Sequence, residues 1–137
     1  MKFLDTNVIL RYLTRDDEVK AEACYRLFQQ VKQGQQELFV CEAIVAEVVY
    51  VLSSRRAPYR LSHEEIRARL LPILTLRGLK LPQKNVYLRA LDLYASSPFL
   101  DFEDALTVCH MEQRGITGLV SYDSDFDRIG GIRRIAP

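Results

Sequence analysis

Phe3-Leu4-Asp5-Thr6-Asn7-Val8-Ile9-Leu10 changes periodicity within eight residues. Lys2–Asp5 has the apolar density of a short buried strand, Thr6-Asn7 breaks it, and Val8–Leu13 continues with the density of a buried helix. A strand turning directly into a helix is the first half of a βαβ unit, whose parallel partner strand requires a crossover of roughly a dozen residues or more. The chain supplies that crossover. Asp16-Asp17-Glu18 precedes Ala21, Cys24, Leu27, Phe28 and Val31, an amphipathic spacing that stops near Gly34, and Leu38-Phe39-Val40 reads as the second strand.

The same alternation runs onward. Residues 42–54 predict an unusually apolar helix, ended by the break at Arg55–Pro58. Ser62-His63-Glu64-Glu65 has the capping-box pattern for a helix to about Leu74. Leu79-Lys80-Leu81 is a weak strand, and Asn85–Ser96 a further helix. Asp101 caps a helix that runs to about Gln113 and stops at Gly115. Gly118–Ser121 and Ile132–Ile135 are the last strands, with a helical turn or loop at Asp123–Arg128 between them. Five strands separated mostly by helices predict an α/β fold with a parallel sheet covered on both faces. At 137 residues the chain has the size of one domain, taken as 1–137.

Composition excludes several classes of function. No run approaches about 18 uncharged apolar residues, and Met1-Lys2-Phe3-Leu4-Asp5 meets charge too early for a secretory signal, so the expectation is a cytoplasmic protein with no membrane partner. Cys24, Cys41 and Cys109 lack CxxC spacing and read as reduced packing residues. His63 and His110 are the only imidazoles, and neither HExxH nor GxSxG nor a phosphate-cradling P-loop occurs. Any chemistry falls to the acids.

In a parallel α/β sheet the strand C-termini and helix N-termini share one edge, where ligands bind. Asp5 ends the first strand, Glu47 lies early in the helix after the second, Asp104 sits in the first turn after Asp101, and Asp123 follows the fourth strand. Each acid also has a plainer role: Asp101 and Asp104 as cap and first-turn acid, Asp123 and Asp125 as turn formers, Asp5-Thr6-Asn7 as turn and cap. Glu47 is harder to place, because it interrupts a helix apolar nearly all round and an unpaired buried carboxylate there would be costly or forced neutral. Four carboxylates within a few ångströms cannot all ionise without a cation, and oxygen-only ligands favour Mg²⁺ or Mn²⁺ over zinc. Phosphoryl chemistry is the corresponding use of such an ion.

Phe3–Leu10, Glu47 in its apolar helix, Asp101-Phe102-Glu103-Asp104-Ala105-Leu106 and Ser121-Tyr122-Asp123-Ser124-Asp125-Phe126, in this order and at these separations, resemble the motifs of PIN-domain ribonucleases. Among these the chain is most similar to VapC-type toxins of prokaryotic toxin–antitoxin pairs, from residue 3 to about 135. The resemblance implies a three-layer α/β/α sandwich with a central parallel sheet of four to five strands. It implies an endoribonuclease that cleaves RNA phosphodiesters by a water activated by one or two Mg²⁺ or Mn²⁺ ions. It further implies a homodimer and inhibition by a cognate antitoxin protein. By position, Asp5, Glu47, Asp104 and Asp123 take the catalytic metal-ligand roles, Asp101 and Asp125 those of helpers, and Thr6, Asn7 and Ser121 those of polar supports. Ser121 stands where Thr is commoner and keeps the hydroxyl.

The formal net charge of +1 conceals a division: residues 1–54 carry −2, residues 55–89 carry +7 and residues 90–137 carry −4. Seven of the nine basic residues in the middle segment are Arg, which forks onto phosphate and stacks on bases, so Arg55, Arg56 and Arg60 are expected to contact RNA. A solvated face and an antitoxin-docking surface are the competing readings of that segment. An apolar excess on helices 7–13 and 42–54 adds to the expectation of a homodimer. The alternative functions are a Mg²⁺-dependent phosphatase or phosphotransferase and a non-catalytic RNA- or partner-binding module. A haloacid-dehalogenase-like site would want a second Asp where Asn7 stands, and a response-regulator-like site a Lys soon after the fourth strand, where none occurs.

Overall fold

The computed structural model describes all residues, Met1–Pro137. In chain order the elements are β1 (Lys2–Phe3), α1 (Thr6–Thr14), α2 (Glu18–Lys32), β2 (Leu38–Phe39), α3 (Glu42–Ser53), α4 (His63–Leu74), β3 (Leu79–Lys80), α5 (Lys84–Ser96), α6 (Phe102–Arg114), β4 (Gly118–Val120), a 3-10 turn (Ser124–Arg128) and β5 (Arg133–Ile135). Local chemistry sets the helix starts. Asp17 accepts from the Lys20 amide, Ser62 from that of Glu65 and Asp101 from that of Asp104, each satisfying an otherwise orphaned first-turn donor. Gly115, at φ 67°, ends α6 and turns the chain into β4.

All strand pairs are parallel, as expected, and the fold is α/β. β1-β2-β3 form one ladder, with Lys2 opposite Leu38 and Leu38 opposite Leu79; β4 and β5 form a second, with Leu119 opposite Arg134. The sheet foreseen as continuous is thus two hydrogen-bonded pieces. The strands are also shorter than their apolar runs, two or three residues each. The extended chain does continue, since the Leu4 amide bonds Phe39 O at 2.8 Å and the Val40 amide bonds Lys80 O at 2.9 Å, but Asp5 and Cys41 already stand at the N-cap positions of α1 and α3.

One core of 25 buried residues ties the layers together, reaching from Leu4 and Ile9 through Val45, Val48, Val49 and Leu52 to Leu91, Tyr94 and Leu106. Burying each such side chain contributes roughly 1.5–3 kcal/mol against chain entropy. The apolar surface left uncovered is not mainly where the sequence located it. α1 buries Ile9 fully and Val8, Leu10, Tyr12 and Leu13 partly, and α3 exposes only Tyr50 among its large apolar residues. The other exposed large apolar side chains are scattered: Phe3, Val120 and Ile135 on the short strands, Val19 and Tyr25 on α2, Met1 at the N-terminus, and Ile116 and Tyr122 on either side of β4. No helix is long and apolar enough to cross a membrane. All three cysteines are free thiols; Cys24 and Cys109 are buried and Cys41 is half-buried.

Candidate active site

Asp5 occupies the N-cap of α1 in extended backbone, yet its side chain caps nothing. Asp17, Asp101 and Asp123 all use their carboxylates as caps. Leaving α1 uncapped forgoes typically ~1 kcal/mol, and it leaves the Asp5 carboxylate available to another partner. The next residue makes the long-range connection. Thr6, buried, donates from Oγ1 to Oε2 of Glu47 at 3.1 Å, bridging the start of α1 and the middle of α3.

Glu47 is exposed rather than buried, which corrects the sequence expectation of a charge enclosed in apolar surroundings. Val45, Val48, Val49 and Leu52 form the buried face of α3, whereas Ala43 and Tyr50 are exposed. The helix looks apolar all round because short and aromatic side chains also occupy its open face. Glu47 therefore needs no buried counter-charge; its one side-chain partner is the Thr6 hydroxyl.

A second acidic group gathers at the first turn of α6. Asp101 accepts the Asp104 amide at 2.9 Å as the N-cap, so its plain structural role is real. Burial, then the charges of Asp101 and Asp123, push the half-buried Asp104 carboxyl up to about 6. The loop after β4 thus brings Asp123 within electrostatic reach of α6. That loop is locally built. The Asp123 amide donates to Ser121 Oγ at 3.0 Å, and Asp123 Oδ1 accepts the Asp125 amide at 2.9 Å.

The structure therefore brings Thr6 and Glu47 together beside Asp5, and Asp101, Asp104 and Asp123 together at α6. Asn7 is exposed in the first turn of α1, and Asp125 is half-buried in the 3-10 turn with its backbone amide bonded to Asp123. No three His, Cys, Asp or Glu side chains already form a closed coordination group. The donors are all oxygen, and the repulsion felt by Asp104 is of the kind positive charge relieves. That chemistry fits a hard divalent cation that keeps several waters.

Arg134, in β5, carried no motif signal in the sequence. Its Nη1 donates to the Ser121 carbonyl at 3.2 Å, while Nε and Nη2 hold both oxygens of Asp127 at 2.9 and 3.0 Å. This fork fastens the loop that carries Asp123 to the last strand, a contact that only tertiary structure reveals. Arg55, Arg56 and Arg60 are exposed in the α3–α4 connection. Arg60 adopts φ 47° and donates to the Arg55 carbonyl at 3.2 Å, and Tyr59 pins the connection to the α1–α2 turn by donating to Asp16 at 2.8 Å. Much of the remaining basic segment is engaged by partners within the chain: Arg67 pairs with Asp92 and Arg89 with Glu112 on the surface, Arg69 bonds the Leu13 carbonyl, and Lys84 bonds the carbonyls of Leu76 and Leu79.

Comparison with known proteins agrees with this architecture. Residues 2–132 match the family model described as the PIN domain. A VapC ribonuclease of Aquifex aeolicus (strain VF5) is 30% identical over 130 residues, covering 95% of this chain and 93% of that protein. With parallel α/β topology, acids at the starts of α1 and α6, and a match over nearly its full length, the chain belongs to the PIN-domain family and within it to the VapC type.

Proposed function

We propose that residues 1–137 form a single nuclease domain that cleaves RNA endonucleolytically with Mg²⁺ or Mn²⁺, as the toxin of a toxin–antitoxin pair. The carrying observation is Asp104, whose carboxyl is pushed up to about 6 by burial and then by the charges of Asp101 and Asp123, so that three acids gather at the first turn of α6. Asp5, Glu47, Asp104 and Asp123 are the ligands for one or two ions, with Asp101 and Asp125 helping. A cation held there would neutralise phosphate oxygens and acidify water for attack on phosphorus.

The chain's own side chains supply orientation. The Thr6 hydroxyl fixes Oε2 of Glu47, which limits the freedom of a long side chain at the site's edge. Asp101 fixes the first turn of α6 and hence the direction of Asp104, and Ser121 sets the turn that presents Asp123. Asn7, exposed beside Thr6, contacts the incoming phosphate or water on this reading. Arg55 and Arg56, whose guanidinium groups have no protein partner, and Arg60 bind the RNA backbone and offset the acidity of the site. Direct hydrolysis leaves a 5′-phosphate and a 3′-hydroxyl. The protein acts in the cytoplasm as a homodimer, restrained by its antitoxin.

Purified chain incubated with labelled RNA and Mg²⁺ should yield discrete fragments, and EDTA should abolish them. Asp5→Asn or Asp104→Asn should slow cleavage roughly 100-fold or more, since a lost ligand costs several kcal/mol of charge stabilisation. Variants that cut as fast as wild type, or cleavage that survives EDTA, would overturn the proposal.

A further inference from the structure

Beside the acidic group of α6, helix α3, the first turn of α4 and the α5–α6 loop enclose a groove of about 550 Å³ that Asp101 and Glu103 also line. Its size falls in the range of small-ligand sites, ~300–1,000 Å³. Tyr50 lines it, three residues after Glu47 and so one turn along the same side of α3. Tyr50 is 61% exposed, so its ring is open to a ligand in the groove. Phe99, from the α5–α6 loop, is half-buried and carries the guanidinium of Arg128 over its ring at 3.7 Å. Arg128 forms no ion pair, although it lies on the same 3-10 turn that Asp123 caps. The groove is rigid on its inner side. His63 stacks on the buried Tyr94, 3.7 Å between centroids, and its Nε2 lies 2.7 Å from the Leu100 carbonyl oxygen.

We infer that this groove receives an unstacked nucleobase of single-stranded RNA next to the phosphate being cleaved. The inference rests on the nuclease reading and adds a subsite to it. The exposed Tyr50 ring accepts the flat base, Arg128, stacked on Phe99 and free of any carboxylate, meets the adjoining phosphate, and the carboxylates of Asp101 and Glu103 accept hydrogen bonds from a base edge. An apolar protein segment laid in the same groove would desolvate those two carboxylates and offer Arg128 nothing. Bases within a duplex are stacked on one another, so the groove selects single strands, loops or splayed ends.

Tyr50 is exposed, so its replacement leaves the core intact, and binding can be separated from cleavage by working in the Asp5→Asn chain. In that background, Tyr50→Leu should weaken a short single-stranded RNA about tenfold, and Tyr50→Phe should restore affinity to within about twofold. In the otherwise wild-type chain, Tyr50→Leu should raise KM about tenfold and leave kcat within about twofold. Binding of a duplex of the same sequence should not change. If wild type cleaves RNA while Tyr50→Leu and Phe99→Leu bind and cleave as it does, the subsite is wrong and the nuclease reading stands. A loss of affinity that merely follows dissociation of an oligomer in sedimentation would assign the groove to a second copy and overturn the subsite. A wild-type chain that leaves RNA intact with Mg²⁺ fails the nuclease reading and the subsite with it.

Discussion

Asp104 is the residue at which function and stability oppose each other. Its carboxyl is raised from the ordinary 3.8 to about 6 by burial and by Asp101 and Asp123. A carboxyl raised on folding contributes its stability below the unfolded pKa and loses it as pH climbs through the folded one, so the metal-free protein should weaken between about pH 4 and 6. The full shift would be worth about 3 kcal/mol, and solvent screening of a half-buried group reduces that to about 1 kcal/mol. Asp104→Asn should therefore melt higher than wild type at pH 7 without metal, match it near pH 4, and gain less from added Mg²⁺. Thermal melts at the two pH values test this; equal melting at pH 7 would remove the repulsion from the account. At this scale the sequence named the acids but gave each two roles. Asp101 and Asp123 each cap a helical turn and also raise the Asp104 carboxyl by their charge, and Asp5 declines the cap that its position offers.

Helices were legible because their signals are local. The α4 start at Ser62, the α6 cap at Asp101 and the stop at Gly115 are contained within four residues of the feature they set. α3 was legible as a helix and not as a surface, because periodicity fails when the open face is also built from Ala and Tyr. The strands were placed correctly but drawn too long, since an apolar run reports burial and not how far a ladder of hydrogen bonds extends. Gly78 shows what such patterns miss. A Cβ there would lie 2.8 Å from Val31 Cγ1 and 3.0 Å from the Gln36 carbonyl, just where β3 enters against the end of α2. Gly78→Ala should cost about 1–3 kcal/mol, read as a lower urea midpoint with an unchanged slope. An unchanged midpoint would mean that α2 and β3 can separate freely.

Over the whole molecule, charge is divided between acids collected at the starts of α1 and α6 and a basic α3–α4 connection, so a net charge of +1 says nothing against a polyanionic substrate. Folding gives Arg67, Arg69, Lys84 and Arg89 partners within the chain, while the side chains of Arg55 and Arg56 have none. Replacing Arg55, Arg56 and Arg60 together by Gln should lower RNA affinity and reduce the slope of log K against log salt by about 2, at roughly 0.7 per lost phosphate contact on a single strand. An unchanged slope would return all three to the solvated surface. The sequence by itself determined the α/β class and the order and approximate bounds of the helices, because capping, periodicity and strand direction are properties of short stretches. Only tertiary structure decided that Glu47 faces solvent under a Thr6 hydroxyl, that Arg134 fastens the Asp123 loop, that the strands divide into the ladders β1-β2-β3 and β4-β5, and that Tyr50 and Phe99 share a groove. Each of these is a meeting of residues distant in the chain, set by how the layers pack rather than by any local pattern.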